Sequence, residues 1–291
     1  MRKVTSFEKR KNRAGYIFLS PWIFASVFLL IYPVIYSLVL SFGKLENITQ
    51  TFNVTFIGIE NYKEAFVIDD SFLDYLISAI TDMLANTPMI LVFSLLVAIL
   101  INRDIKGRAV FRLVFFLPVL LGAGYVMKEL LGQDVQGGSM EIARGMLLPP
   151  NVQSYIGETV TGYISEFFNR ITLVMWKSGV QIVLALSGLQ GISPSIYEAS
   201  RIDGAGEWES FWKITLPMIT PILLLNAVYT IISFAFENSG LLNYIVNQAF
   251  SENKFEYAAA IGWIYFLVVL VLLGVIFCIF NPFIKRIHGN S

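Results

Sequence analysis

Three groups of polar residues stand inside otherwise apolar stretches of this 291-residue chain. The first is Asp82, Asn86 and Thr87; the second is Trp176, Lys177, Ser178 and Gln181. The third is Asn226, Tyr229 and Ser233, running on to Phe234, Glu237 and Asn238. Aromatic faces cover the apolar C–H surface of a sugar, while amides, hydroxyls and a carboxylate meet its hydroxyl groups. Trp176 with Gln181, and Phe234 with Glu237 and Asn238, have that composition. A blander role competes at each position. Lys177 and Glu237 can snorkel to a nearby interface, Asp82 can sit among headgroups, and Asn226 and Ser233 can bond one helix to another. Catalysis is poorly provided for. The single histidine, His288, is near the C-terminus and the single cysteine, Cys278, is in an apolar run, which leaves no disulfide and no Cys- or His-rich metal site within the chain. No Gly-x-Ser-x-Gly motif and no paired intramembrane aspartates are present.

The elements that must position these groups are set by composition. Hydrophobic residues make up 56% of the chain and charged residues 14%, against about a quarter charged in soluble domains. The apolar residues fall in blocks that match the roughly 20 residues a helix needs to cross a bilayer. Spans are expected over 14–43, over 83–102 with an upstream extension from 75, between 112 and 128, over 171–189, over 214–236 with Pro217 and Pro221 in its first turns, and over 257–284. The first block is too long and aromatic for a cleaved signal, so it reads as a retained helix. Basic residues give the orientation. With the N-terminus inside, fourteen Lys and Arg fall on the cytoplasmic side and six outside. The predicted architecture is therefore all-α and polytopic, with six transmembrane helices and both termini cytoplasmic. It has a cytoplasmic tail over 1–13 and a single transmembrane domain over 14–291. Outside, FIGIENYKEAF reads as a short surface helix. The long outer insert, about 132–170, repeats apolar residues at helical spacing, as an interfacial helix or a landing surface for an external protein. Zero net charge gives no signal for nucleic acid.

Between the fourth and fifth spans lies a cytoplasmic loop, about 191–217, that includes YEASRIDGAGEWESFWKITLP. Trp208, Phe211 and Trp212 alternate there with Glu198, Asp203, Glu207, Glu209 and Lys213. Gly204 and Gly206 divide the loop into two helical pieces, since glycine permits the reversal a helix–turn–helix requires. A passive connector could be a few polar residues. Aromatic residues in this number need burial, either among lipid headgroups or against a protein.

The loop resembles the EAA loop of permease subunits in binding-protein-dependent ABC importers. Glu198, Ala199 and Ser200 fill the first triplet, with serine in place of the third alanine; Gly204 follows after three residues, and Ile214, Leu216 and Pro217 follow at the family distance. FIGIENYKEAF, RAVFRLVFFLP and SGLQGISPSIYEAS also resemble the carbohydrate-uptake group typified by the maltose permease subunits. The resemblance implies the type I importer permease fold in a bacterial-type cell membrane. It implies no nucleotide site on this chain, in keeping with the missing Walker A pattern. It also implies a second homologous permease, two ATPase subunits that carry ATP and Mg, an extracellular or periplasmic solute-binding protein, and surrounding lipid. Glu198, Ala199, Ser200, Asp203, Gly204, Ile214, Leu216 and Pro217 would couple to the ATPase. Trp176, Lys177, Gln181, Asn226, Tyr229, Ser233, Phe234, Glu237 and Asn238 would line the substrate pathway.

Two features depart from the group. The stretch after the fifth span, LLNYIVNQAFSENKFEY, lacks the group's Thr-x-Gly-Gly-Pro, and the 132–170 insert is unusually long. Both bear on cargo more than on transport. The alternatives are another solute such as a glycerol phosphate or an amino acid, an intramembrane enzyme, or a stand-alone secondary transporter. Anionic cargo calls for a basic cluster, for which Lys177 alone is a poor candidate.

Overall fold

The computed structural model describes residues 18–45, 54–102, 170, 171, 173–175, 177–236 and 240–288. The third expected span, the N-terminal tail and nearly all of the outer insert lie outside these residues. Four helices among the described residues are long and apolar enough to cross a membrane, or five when the bent pair Gly179–Gln190 and Pro194–Ile202 is taken as one span.

Helix α1 (Phe18–Ser41) contains a π-turn over Val27–Ile31 and leads into an antiparallel hairpin, β1 (Gly43–Leu45) with β2 (Val54–Phe56). The short helix α2 (Glu60–Lys63) continues as a π-turn over Glu64–Ile68. Helix α3 (Asp70–Asn102) follows, then α4 (Gly179–Gln190), preceded by helical residues among 170–177, and α5 (Pro194–Ile202). Helix α6 is composite, with Glu207–Ser210, a π-turn over Phe211–Thr215, and Leu216–Phe236. Helices α7 (Gly240–Phe250) and α8 (Phe255–His288) complete the described chain.

Apart from the third, the expected spans coincide with helical segments whose ends differ from those expected. The upstream extension of the second span begins at Asp70, where the Asp69 carboxylate accepts a hydrogen bond from Phe72 N at 3.1 Å and caps the helix. Pro217 and Pro221 are not in the first turns of their helix, because α6 is already helical from Glu207. The hairpin was not anticipated. Asn61 fixes it to the end of α1 by donating its side-chain NH₂ to the carbonyls of Ser41 and Gly43, both at 3.0 Å. The Ser41 and Tyr62 hydroxyls meet at 2.7 Å.

The chain divides into two compact units, one of residues 1–79 and 238–268, the other of 80–237 and 269–291. In the first, Asp69 is a junction. Tyr244 and Tyr257 both donate their phenol hydrogens to Asp69 Oδ2, the Tyr244 bond being 2.5 Å long, and Gln248 donates to the Tyr244 oxygen at 3.0 Å. In the second, Leu95, Ala98 and Ile101 of α3 pack with Ile182, Ala185, Leu186 and Leu189 of α4 and with Ile219 of α6. Much of the remaining apolar surface is exposed, including Leu267, Leu270, Val271, Val275 and Ile279 along α8, as expected for helices whose solvent is lipid.

Candidate functional site

The loop between α4 and α6 is built by two local devices. Pro194 opens α5, where a missing N–H costs nothing. Gly204 ends it, with φ +83. Gly204 N–H donates to Arg201 O at 3.1 Å and Ala205 N–H to Ser200 O at 2.9 Å, the paired bonds of a Schellman turn. A β-carbon at Gly204 would meet no neighbouring atom among the described residues, so backbone conformation alone favours glycine there. Gly206 then opens α6 in an extended conformation. The two helical pieces and the glycine break between them are therefore present as expected.

Helix α5 is amphipathic, with distinct faces. Ile196 and Tyr197 pack on the core of the second unit, and Ser200 is buried. The Tyr197 and Thr215 hydroxyls lie 2.9 Å apart, and Ser200 Oγ lies 3.3 Å from Ser210 Oγ. Serine in the third place of the Glu198–Ala199–Ser200 triplet thus links α5 to α6 in a way alanine cannot. Glu198, Ala199, Asp203 and Gly204 are exposed, while Ile214, Leu216 and Pro217 are half-buried at the loop's return. Ile202 is 86% exposed and Trp208 75%, which is too much apolar surface for an idle aqueous face. Trp208 and Trp212 pack edge to face with ring centres 5.6 Å apart.

The π-turn sets how this face is presented. Phe211, Met218, Leu225 and Ile232 recur every seven residues, and the last three are exposed on one side of α6. In an uninterrupted α-helix Phe211 would join them. The extra residue of the π-turn rotates what precedes it by about 100°, and Phe211 packs on the core instead.

The polar groups of the spans separate into two sets. Gln181 and Asn226 are fully buried and turn toward each other's helices. Gln181 Nε2 donates to Thr230 Oγ1 at 3.0 Å, Asn226 Nδ2 to Gln181 O at 3.1 Å, and Thr230 Oγ1 to Asn226 O at 2.7 Å. Thr230 escaped the sequence reading, although its position four residues after Asn226 was a usable signal. At the end of α6 away from the loop, Lys177 Nζ lies 4.1 Å from the centre of the Phe234 ring, a cation–π contact. Ser233 and Phe234 are half-buried and Tyr229 is exposed. Trp176, Glu237 and Asn238 lie outside the described residues. No group of three or more Asp, Glu, His or Cys suited to a metal occurs among the described residues.

Long apolar helices, two of them joined through a structured amphipathic loop, define a polytopic membrane protein. Residues 67–289 match the family described as the binding-protein-dependent transport system inner membrane component, and the chain belongs to that family. It is 31% identical to the probable ABC transporter permease protein YesP of Bacillus subtilis, over 95% of this chain and 91% of that one. It is 26% identical to the arabinooligosaccharides transport system permease protein AraP of Halalkalibacterium halodurans, over 93% and 88%. The fold is similar to a chain of the bacterial alginate ABC transporter in complex with alginate pentasaccharide-bound periplasmic protein. The TM-score there is 0.66 and the identity 18%, covering 97% of this chain and 99% of that one. The protein is a multi-pass permease subunit of the membrane, not an enzyme, within a family that carries no cofactor of its own.

Proposed function

We propose that this chain translocates a sugar or oligosaccharide delivered by an extracellular or periplasmic binding protein, as one of two homologous permeases driven by two ATPase subunits. The observation that carries this is the loop from Glu198 to Pro217. A helix with an exposed acidic and apolar face is held on the permease core by Ile196, Tyr197 and Ser200 and ended by a left-handed turn that favours glycine. That is a docking element, and Glu198, Ala199, Asp203 and Gly204 form its outer side, backed by Ser200 and by the return at Ile214, Leu216 and Pro217. ATP and Mg are held by the partner ATPase. Residues 14–291 act as a single permease domain, with the tail over 1–13 and the insert over 132–170 as appendages.

Sugar cargo is supported by the relatives, one named for arabinooligosaccharides, and by the aromatic and polar residues at the outer ends of the fourth and fifth spans. Trp176, Lys177, Ser233, Phe234, Glu237 and Asn238 form the core of the proposed pathway, with Tyr229 beside them and Gln181 and Asn226 behind. The test is purification of the full complex on a tag carried by this chain, followed by uptake in proteoliposomes. Two ATPase subunits and a second permease should accompany it, and uptake of arabinooligosaccharides or another short glycan should require ATP and the binding protein. Solitary purification, or uptake driven by an ion gradient alone, overturns the assignment.

A further inference from the structure

The contacts that join α5 and α4 to α6 form one uninterrupted series. Ser200 meets Ser210, Tyr197 meets Thr215, and Gln181 meets Thr230. Between the last two, the backbone of Gly188 comes so close to Ile222 that a β-carbon there would lie 3.2 Å from Ile222 Cβ. At the far end Lys177 covers Phe234. From Ser200 back to Lys177 the first arm covers 23 residues, and from Ser210 forward to Phe234 the second covers 24. The hairpin thus keeps one antiparallel register from the coupling loop to the outer end of α6.

Hydrogen bonds add direction to that register, because they require donor and acceptor to be aligned. Gln181 and Asn226 supply direct interhelical amide bonds within this series. Their placement is expensive. Gln181 Oε1 and Asn226 Oδ1 are buried without a hydrogen-bond partner among the described residues, and a buried acceptor left so costs stability. A seam that costs stability and fixes register belongs to function rather than to packing.

We propose that Gln181, Asn226 and Thr230 are positioning residues that clamp α4 to α6. The hairpin then moves as a single lever, and displacement of α5 by the ATPase arrives at the Lys177–Phe234 end without slip. This rests on α5 being the ATPase-docking element. It assigns Gln181 and Asn226 to force transmission, with cargo contact left to the residues nearer the outer end.

The experiment uses the complete transporter purified with its ATPase subunits, in a Cys278→Ser background with Phe236→Cys as reporter. Phe236 is 80% exposed and belongs to neither the loop nor the proposed pathway. The readout is the rate of N-ethylmaleimide labelling with and without ATP and vanadate. In the reporter background ATP changes the rate. With Gln181→Leu and Thr230→Val added, ATP hydrolysis should continue and the ATP-dependent change in labelling should be lost. An equal change in the seam variant overturns the lever. A second arm does not depend on how that variant folds. Gly188→Cys with Ile222→Cys places two β-carbons close to disulfide distance, and the bond is closed before labelling. A retained response supports a hairpin that moves as one piece; a response abolished by the bond shows that the helices slide and overturns the proposal. If no ATPase accompanies the wild-type chain, the docking assignment fails first and takes the lever with it.

Discussion

Tyr197 and Thr215 join their hydroxyls at 2.9 Å, one from α5 and one from the π-turn at the base of α6. Tyr197→Phe removes this bond and keeps the ring on the core. Thr215 then has only Ser210 O within reach, at 3.4 Å. The expected loss is roughly 0.5–1.5 kcal/mol, the net worth of one such bond. It should appear as a lower unfolding midpoint in detergent and faster proteolytic cleavage of the loop. An unchanged cleavage pattern would mean that the apolar contacts hold α5 unaided.

At Gly204, substitutions should rank by backbone tolerance rather than by size. The position is open, and only its positive φ restricts it. Gly204→Asn should be mild, since asparagine enters the left-handed region readily, while Gly204→Val should cost about 1–2 kcal/mol or more and turn the docking helix. Uptake falling in the valine variant while ATP hydrolysis persists is the expected signature. Equal uptake in both variants would sink the prediction.

Asp69 supplies a pH dependence with a definite sign. Burial acts to raise its pKa, but bonds from Tyr244, Tyr257 and the Phe72 and Ser71 N–H groups outweigh it and hold the carboxyl below its ordinary range. The ionised form is favoured in the folded state, so its stabilisation is fully present above the ordinary carboxylate pKa and is lost as pH falls through the lowered value. The contribution of Asp69 to thermal stability should not change between pH 7 and about 5, and Asp69→Asn at neutral pH should lower that stability. Should wild type and Asp69→Asn keep a constant difference down through the acid range, the carboxylate is not the group responsible.

For the pathway, replacing Trp176, Glu237 and Asn238 by alanine should raise the KM for uptake and leave basal ATP hydrolysis unchanged. Unchanged uptake kinetics in the triple variant would remove these residues from the cargo site.

The spans and the loop were legible in the sequence because both follow from simple patterns: charge-free blocks of bilayer length, and glycines flanking an acidic and aromatic stretch. The 43–56 hairpin was not, since its three-residue strands are too short to show an alternating pattern and depend on Asn61, which lies outside them. Gln181 and Asn226 were legible as costly polar residues but not as partners. Their pairing requires the relative register of two helices, which neither helix carries alone. The π-turn was invisible for a related reason, since Phe211 continues the seven-residue repeat of Met218, Leu225 and Ile232 and only the backbone breaks it.

That break makes the aim of the loop between α4 and α6 a matter of counting. Deleting one residue between Phe211 and Thr215 would leave every side chain of α5 chemically intact yet swing Phe211 off the core by about 100°. The protein should therefore tolerate many substitutions in this turn and no change in its length.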